Sequence, residues 1–439
     1  MSVKETITPE QIARYRELAE PKKKLRKKGS RGTIIFFVVC VIIGAIIGAG
    51  IPILGDLGML QFDIVPPFEV GKGFVFVYPV VFVLFYYVTM ILHTIIHEGG
   101  HLVFGLFTGY RFLSFRVLSF TIVKKDGKLV WKKLKVPGTL GQCLMCPPEW
   151  TDNDAYPYVW YNLGGGLMNL VFCALSVPLF FLHSPLAAWA AGIYVFTGIV
   201  FGITNLVPMS LGLPNDGKNC LLCRKDRENQ KAFYAQLKIN AMLSDGALVA
   251  DIPEELLCVG EGQPISPLTA FPRLMKVYRH LILGEEETAE ACLRELEASM
   301  DKLPTAFVNT FDMERLYFLL LGETQVEEFA AYYAVLQPVI LQVKDISILR
   351  VKYVYYLLLS DEERETVEWL VRSKKNKLPK KLPKQKKPLT AEKIYEDMEK
   401  AYAKHPVIGE AELYMSMVRD MAKKVVVETT EEKEATEAE

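Results

Sequence analysis

The stretch HTIIHEGGH (93–101) sets three histidines and a glutamate inside an otherwise apolar run. His97 to His101 fits H-E-x-x-H, in which residues four apart share one helix face, so that both imidazoles can reach a single zinc ion. Glu98 then lies beside the open position of that metal, where a general base toward water is needed. Ionisable groups in hydrocarbon are costly, and the alternative reading, a polar patch between packed spans, requires a partner for all four.

A third ligand must come from elsewhere. The extended H-E-x-x-H-x-x-G-x-x-H pattern is absent, because position 107 is Phe107. His93 is one turn earlier, about 6 Å along the axis from His97. That offset suits a cavity-lining group or a hydrogen bond to a ligand better than a bond to the same ion. Asp216 is the first charge after an uncharged run from Ala155 to Asn215, in TNLVPMSLGLPNDGKN (204–219). A carboxylate would complete a His, His, Asp set.

The elements that must position these groups are membrane spans. From Gly73 to Tyr110 the only Asp, Glu, Lys or Arg is Glu98. A span needs about 20 apolar residues, which places four at roughly 34–54, 74–98 (its helix continuing to about 109), 156–182 and 186–208. A cluster of Lys and Arg over 22–31 precedes the first (Lys22, Lys23, Lys24, Arg26, Lys27, Lys28, Arg31), eight lie in the loop 111–154, and Lys218, Arg224, Lys225 and Arg227 follow the last. The positive-inside rule therefore puts both termini in the cytoplasm of a multi-pass protein, expected in a bacterial cell membrane. The 51 basic and 51 acidic residues of the 439-residue chain give no net attraction to nucleic acid. Residues 1–33 form a basic cytoplasmic segment, and 34–220 the membrane domain.

Between the second and third spans, FLSFRVLSFTIV and KKDGKLVWKKLKV suggest a β-hairpin over 111–136 turning at Asp126-Gly127. Beyond, LILGEEE (281–287), LLLGETQ (319–325) and LLLSDEE (357–363) repeat every 38 residues through Gly284, Gly322 and Ser360. Stacked helical hairpins of tetratricopeptide-like type are expected over 230–373, offering a groove to a cytosolic protein partner. A Lys/Pro-rich linker (374–389), able to touch anionic membrane lipid, leads to a C-terminal helical segment (390–426) and an acidic disordered tail (427–439). The expected fold is thus an all-α polytopic membrane protein of about four transmembrane helices with a small β-hairpin, followed by a cytosolic helical-repeat domain.

Taken together, H-E-x-x-H in one span, Asn205-x-x-Pro208 followed by Asp216-Gly217 in a later one, and Gly165-x-x-x-Asn169 between them are similar to the site-2 protease family of intramembrane zinc metalloproteases. The resemblance covers about residues 34–220. It implies zinc bound by His97, His101 and Asp216, Glu98 as general base, a membrane-spanning protein as substrate, and Asn205, Asn169, Gly165 and His93 near the site. The interval from Pro208 to Asp216 is longer than in the commoner form of the family, and the helical repeats stand where some relatives carry other domains. An inactive membrane scaffold binding transmembrane helices and cytosolic partners is the competing class. Prenyl-protein endoproteases share H-E-x-x-H but use a downstream Glu ligand. A second, cysteine-bound zinc is conceivable from Cys143-x-x-Cys146 and Cys220-x-x-Cys223, against ordinary thiols in a reducing compartment.

Overall fold

A computed structural model of the chain describes residues 3–26, 74–125, 127–133, 139–150, 156–181, 184–210, 213–322, 325–373, 377–379, 389–419 and 421. It divides into two compact units, Ser30–Lys238 on one side and Met1–Gly29 with Ile239–Glu439 on the other. A helical turn at Val3–Thr6 and helix α1 (residues 9–26) belong to the latter.

The Ser30–Lys238 unit is built on α2 (Phe74–Phe107), α3 (Tyr158–Ser176, prolonged by a 3-10 turn Val177–Phe181) and α4 (Pro185–Leu206). Three helices are long and apolar enough to cross a membrane: Val80–Phe107, Tyr158–Phe181 and Trp189–Leu206. They correspond to three of the four expected spans, and the expected span 34–54 lies outside the described residues. Their side chains are arranged inside out. Val83, Leu84 and Phe107 on α2 are exposed, whereas Thr89, His93, His97, Glu98 and His101 are buried. Such a distribution suits lipid outside and a polar site within. Glycines let the helices approach: a Cβ on Gly100 would lie 2.3 Å from the Gly164 carbonyl oxygen, and one on Gly202 would lie 3.2 Å from that of Gly166.

Helix α2 closes on Gly109, whose φ of +87° lets Tyr110 N donate to Gly105 O (3.0 Å) and Gly109 N to Leu106 O (3.2 Å). The chain then enters a four-stranded antiparallel sheet of order β3-β2-β1-β4, with β1 (Arg111–Val117), β2 (Phe120–Lys125), β3 (Lys128–Lys133) and β4 (Gly141–Cys146). The expected hairpin is only its β2–β3 half. A turn at Leu118, with φ of +56°, breaks FLSFRVLSFTIV into two strands, and β4 pairs with β1 on its far side. The sequence GQCLMC contains no β-branched or aromatic residue, so β4 carries little local strand signal. Helices α5 (Asp216–Lys225) and α6 (Arg227–Ser244) follow, and the division between the units falls within α6.

The other unit is helical. It contains α7 (Ala270–Ile282), α8 (Glu286–Glu297), α9 (Thr305–Leu321), α10 (Val326–Gln342), α11 (Ile346–Leu358), α12 (Asp361–Val371), α13 (Ala391–Lys404) and α14 (residues 408–419). Gly284 (φ +78°), Gly322 and Ser360 fall in the turns between successive pairs α7–α8, α9–α10 and α11–α12. Ser360 forms a capping box with Glu363, which starts α12. Helix α9 packs on α11, and α10 on α12. Their core holds a buried ion pair, Arg350 to Glu314 at 2.7 Å, with Tyr278 Oη donating to Glu314 at 2.7 Å.

Two expectations are refined here. In residues 3–26 the basic N-terminal segment is folded and packed: α1 buries Ile12, Tyr15 and Ala19, and Arg26 reaches Asp312 (2.6 Å) and Asn309 (3.1 Å) of α9. The Lys22 ammonium stands 3.2 Å from the centre of the Tyr332 ring. The C-terminal segment 390–426 is divided at His405-Pro406 into α13 and α14, since proline cannot continue the hydrogen-bonded ladder. The linker, except 377–379 and 389, and the acidic tail lie outside the described residues.

Candidate metal centre

His97 and His101 face one way from α2, as their four-residue spacing requires, with Nε2 atoms 3.2 Å apart. Asp216, at the first turn of α5, brings Oδ2 to 3.2 Å from His97 Nε2 and 3.4 Å from His101 Nε2. The three ligand atoms thus form a nearly equilateral triangle. Asp216 Oδ2 is buried yet makes no hydrogen bond of its own. Such a group of buried donors could hold a metal ion.

The longer interval before Asp216 does not prevent this. Ser210 pairs with Pro214 in an isolated antiparallel bridge, which returns the inserted loop on itself. Asn215 then fastens it: its Nδ2 donates to Thr204 O (2.6 Å) and Val207 O (2.7 Å), while its Oδ1 accepts from Met209 N (3.0 Å) and, as the α5 N-cap, from Lys218 N (2.9 Å). Gly217 has no room for a side chain, since a Cβ there would stand 2.1 Å from Leu206 O. Asp216 is therefore set against the end of α4 by its two neighbours.

Helix α3 supplies the cradle. A Cβ on Gly165 would lie 2.6 Å from His97 Cε1 and 2.7 Å from His101 Nε2, so the close approach of Gly165 is to the imidazoles themselves. The Tyr161 carbonyl, which can only accept, takes a hydrogen bond from His101 Nδ1 at 2.7 Å. That bond leaves the His101 Nε2 lone pair free toward Asp216. Asn169, fully buried, bridges His97 and His93.

Glu98 is buried on α2 beside β4, where the Cys143 main-chain amide is its hydrogen-bond partner and Gly141 leaves space for its carboxylate. Arg116 of β1 holds this segment. Its guanidinium donates to Leu118 O (3.0 Å), the Thr139 hydroxyl and Gly141 O (3.1 Å). Tyr161 Oη donates to Cys143 O at 3.0 Å, tying β4 to α3 as well.

Asn205 and the cysteines make contacts of their own. Asn205 Nδ2 bonds back to Phe201 O of its own helix at 2.9 Å. The four cysteines do not form a second cluster: among the described residues His97, His101 and Asp216 are the group of three or more candidate ligands close enough to share an ion. Cys220 Sγ faces Val159 O and Cys223 Sγ faces Asn229 O. Burial pushes the Cys220 thiol up to about 12 and raises Cys143 and Cys223 too, which suits neutral thiols. The strand beside the site is β4, separated from β3 of the expected hairpin by β1 and β2. Tyr161, Gly141, Arg116 and Asn215 were not among the expected site residues. Of these, only Asn215 carries a local sign, an N-cap residue immediately before Asp-Gly.

No family model, curated protein or solved structure matches the chain.

Proposed function

We propose that this chain is an intramembrane zinc metalloendopeptidase, similar in design to the site-2 proteases, that cuts a membrane-spanning segment of a protein substrate. The observation that carries this reading is the His97, His101 and Asp216 triangle beside Glu98, within an apolar helix. Its edges of 3.2, 3.2 and 3.4 Å suit zinc. Bonds of about 2.0–2.1 Å at tetrahedral angles separate ligand atoms by about 3.3 Å. The orphaned Asp216 Oδ2 and the Gly165 cradle fit the same ion.

Zinc would supply Lewis acidity, polarising a water molecule and the scissile carbonyl. Glu98 accepts the proton released by the attacking water and returns it to the leaving amide nitrogen as the C–N bond breaks. The Cys143 amide and the space at Gly141 hold its carboxylate in reach. A substrate helix must unwind before it can be cut, and lipid will not satisfy the freed main chain. The terminal strand β4, passing Glu98, is placed to pair with an extended segment through groups not already taken by Glu98 and Tyr161.

The helical unit is a stack of tetratricopeptide-like hairpins that selects or docks the substrate or a cytosolic partner. Because α1 and this unit bind each other, both must lie on one face of the membrane, which requires an even number of crossings. The fourth is the span expected over 34–54, outside the described residues, with both termini cytoplasmic in a bacterial cell membrane. Intact ligands and base argue against the inactive scaffold.

The test is zinc content and cleavage of a single-span substrate in detergent or vesicles. Wild type should carry about one zinc per chain; Glu98→Gln should keep it and lose cleavage; His97→Ala should lose both. Normal cleavage by Glu98→Gln would sink the mechanism.

A further inference from the structure

We infer that Asn169 is the positioning residue that fixes the tautomer of the ligand His97, and that His93 and the Tyr194 carbonyl set the direction of the Asn169 amide. The inference rests on the metal reading of His97, His101 and Asp216.

The chain of contacts has one fixed end. The Tyr194 carbonyl can only accept, so His93 Nε2, 2.9 Å away, must carry a proton. Neutral His93 therefore presents a bare Nδ1 to Asn169. His93 is fully buried on a lipid-spanning helix, with its ring 4.2 Å from that of Tyr194, which favours the neutral form. Gly198 makes its seat: a Cβ there would stand 2.3 Å from His93 Cε1.

With the amide as placed, Asn169 Oδ1 faces His93 Nδ1 at 3.0 Å and Nδ2 faces His97 Nδ1 at 3.3 Å. That orientation demands a doubly protonated His93. It also makes His97 Nδ1 an acceptor, which leaves the proton of neutral His97 on Nε2, the nitrogen that must bind the ion. Amide oxygen and nitrogen are alike in shape, and the hydrogen-bond network decides between them. Rotating the amide by half a turn resolves every conflict. Nδ2 then donates to His93 Nδ1, Oδ1 accepts from His97 Nδ1–H, and the His97 Nε2 lone pair points at the metal position. His101 reaches the same state independently through Tyr161 O. Partners of this kind fix ring orientation and ligand basicity, and their loss weakens metal binding about 10- to 100-fold.

The experiment measures zinc affinity by chelator competition in full-length protein, with ¹⁵N-histidine NMR of the zinc-loaded form. Asn169→Leu should weaken zinc by about 10- to 100-fold. Asn169→Asp keeps an acceptor for His97 Nδ1–H and should stay near wild type. His93→Gln can both accept from Asn169 and donate to Tyr194 O, and should also bind normally. The wild-type spectrum should show His93 protonated at Nε2 alone. A His93 protonated at Nδ1, or undiminished affinity in a folded Asn169→Leu, would overturn the relay while leaving the metal site standing. Wild type without zinc would overturn both.

Discussion

Gly165 lies so close to His97 that a Cβ at this position would sit 2.6 Å from the ring's Cε1. Real carbon atoms do not approach so closely, and the ring is held from behind by Asn169. Gly165→Ala should therefore displace the imidazole and weaken zinc at least about tenfold, the scale seen when a ligand's supporting contacts are lost. Gly192→Ala, with nothing within 4 Å of the added carbon, is the matched control. Equal zinc affinity in the two variants would show that the cradle is unimportant.

Asn215 is expected to act on the site through the backbone. Asn215→Ala removes the α5 cap, worth about 1 kcal/mol, and both bonds to the end of α4. Asn215→Ser should restore the cap alone. Faster amide exchange at Lys218 in the alanine variant only, with weaker zinc binding in both, is the expected pattern.

Within the helical unit, Arg350→Met leaves Glu314 buried without its charge partner. Breaking a buried pair in this way costs about 3–5 kcal/mol, whereas removing both charges can be nearly neutral. The double variant Arg350→Met/Glu314→Met should recover much of the loss in denaturant unfolding. A single variant as stable as wild type would contradict the pairing.

Acid should loosen the α13–α14 hairpin. Burial disfavours ionised Glu412, but hydrogen bonds from Arg419 and from Tyr402 (2.8 Å) prevail and hold its carboxyl below the ordinary value. A depressed folded pKa gives stability that is present above the unfolded value, about 4.3, and is lost as pH falls through the folded one. Amide protection in 391–419, taken relative to the intrinsic exchange rate at each pH, should be steady from neutral pH to about 4.3 and fall below it, a step that Glu412→Gln removes.

Much of the site was legible because its chemistry depends on local spacing. His97, Glu98 and His101 need only one helical turn, and the long uncharged run singles out Asp216. The 38-residue interval likewise marks turns, since Gly284, Gly322 and Ser360 each stop or start a helix. Long-range placement was not legible. Strand β4 owes its position to pairing with β1, not to its own residues, so the strand nearest Glu98 went unseen. The cations clustered over 22–31 read as a topological signal, and nothing local reveals that Arg26 meets Asp312.

That last contact has a bearing on biosynthesis. Residues 9–26 are made before α9, α10 and α12, which hold them, and the long apolar helices α2, α3 and α4 are made in between. Until then Ile12, Tyr15 and Ala19 have no surface to cover them, and a chain stopped early keeps this apolar stripe bare for a chaperone or protease. Helix α1 is therefore seated only after α2, α3 and α4 have been made, so its docking reports that translation has passed beyond all three.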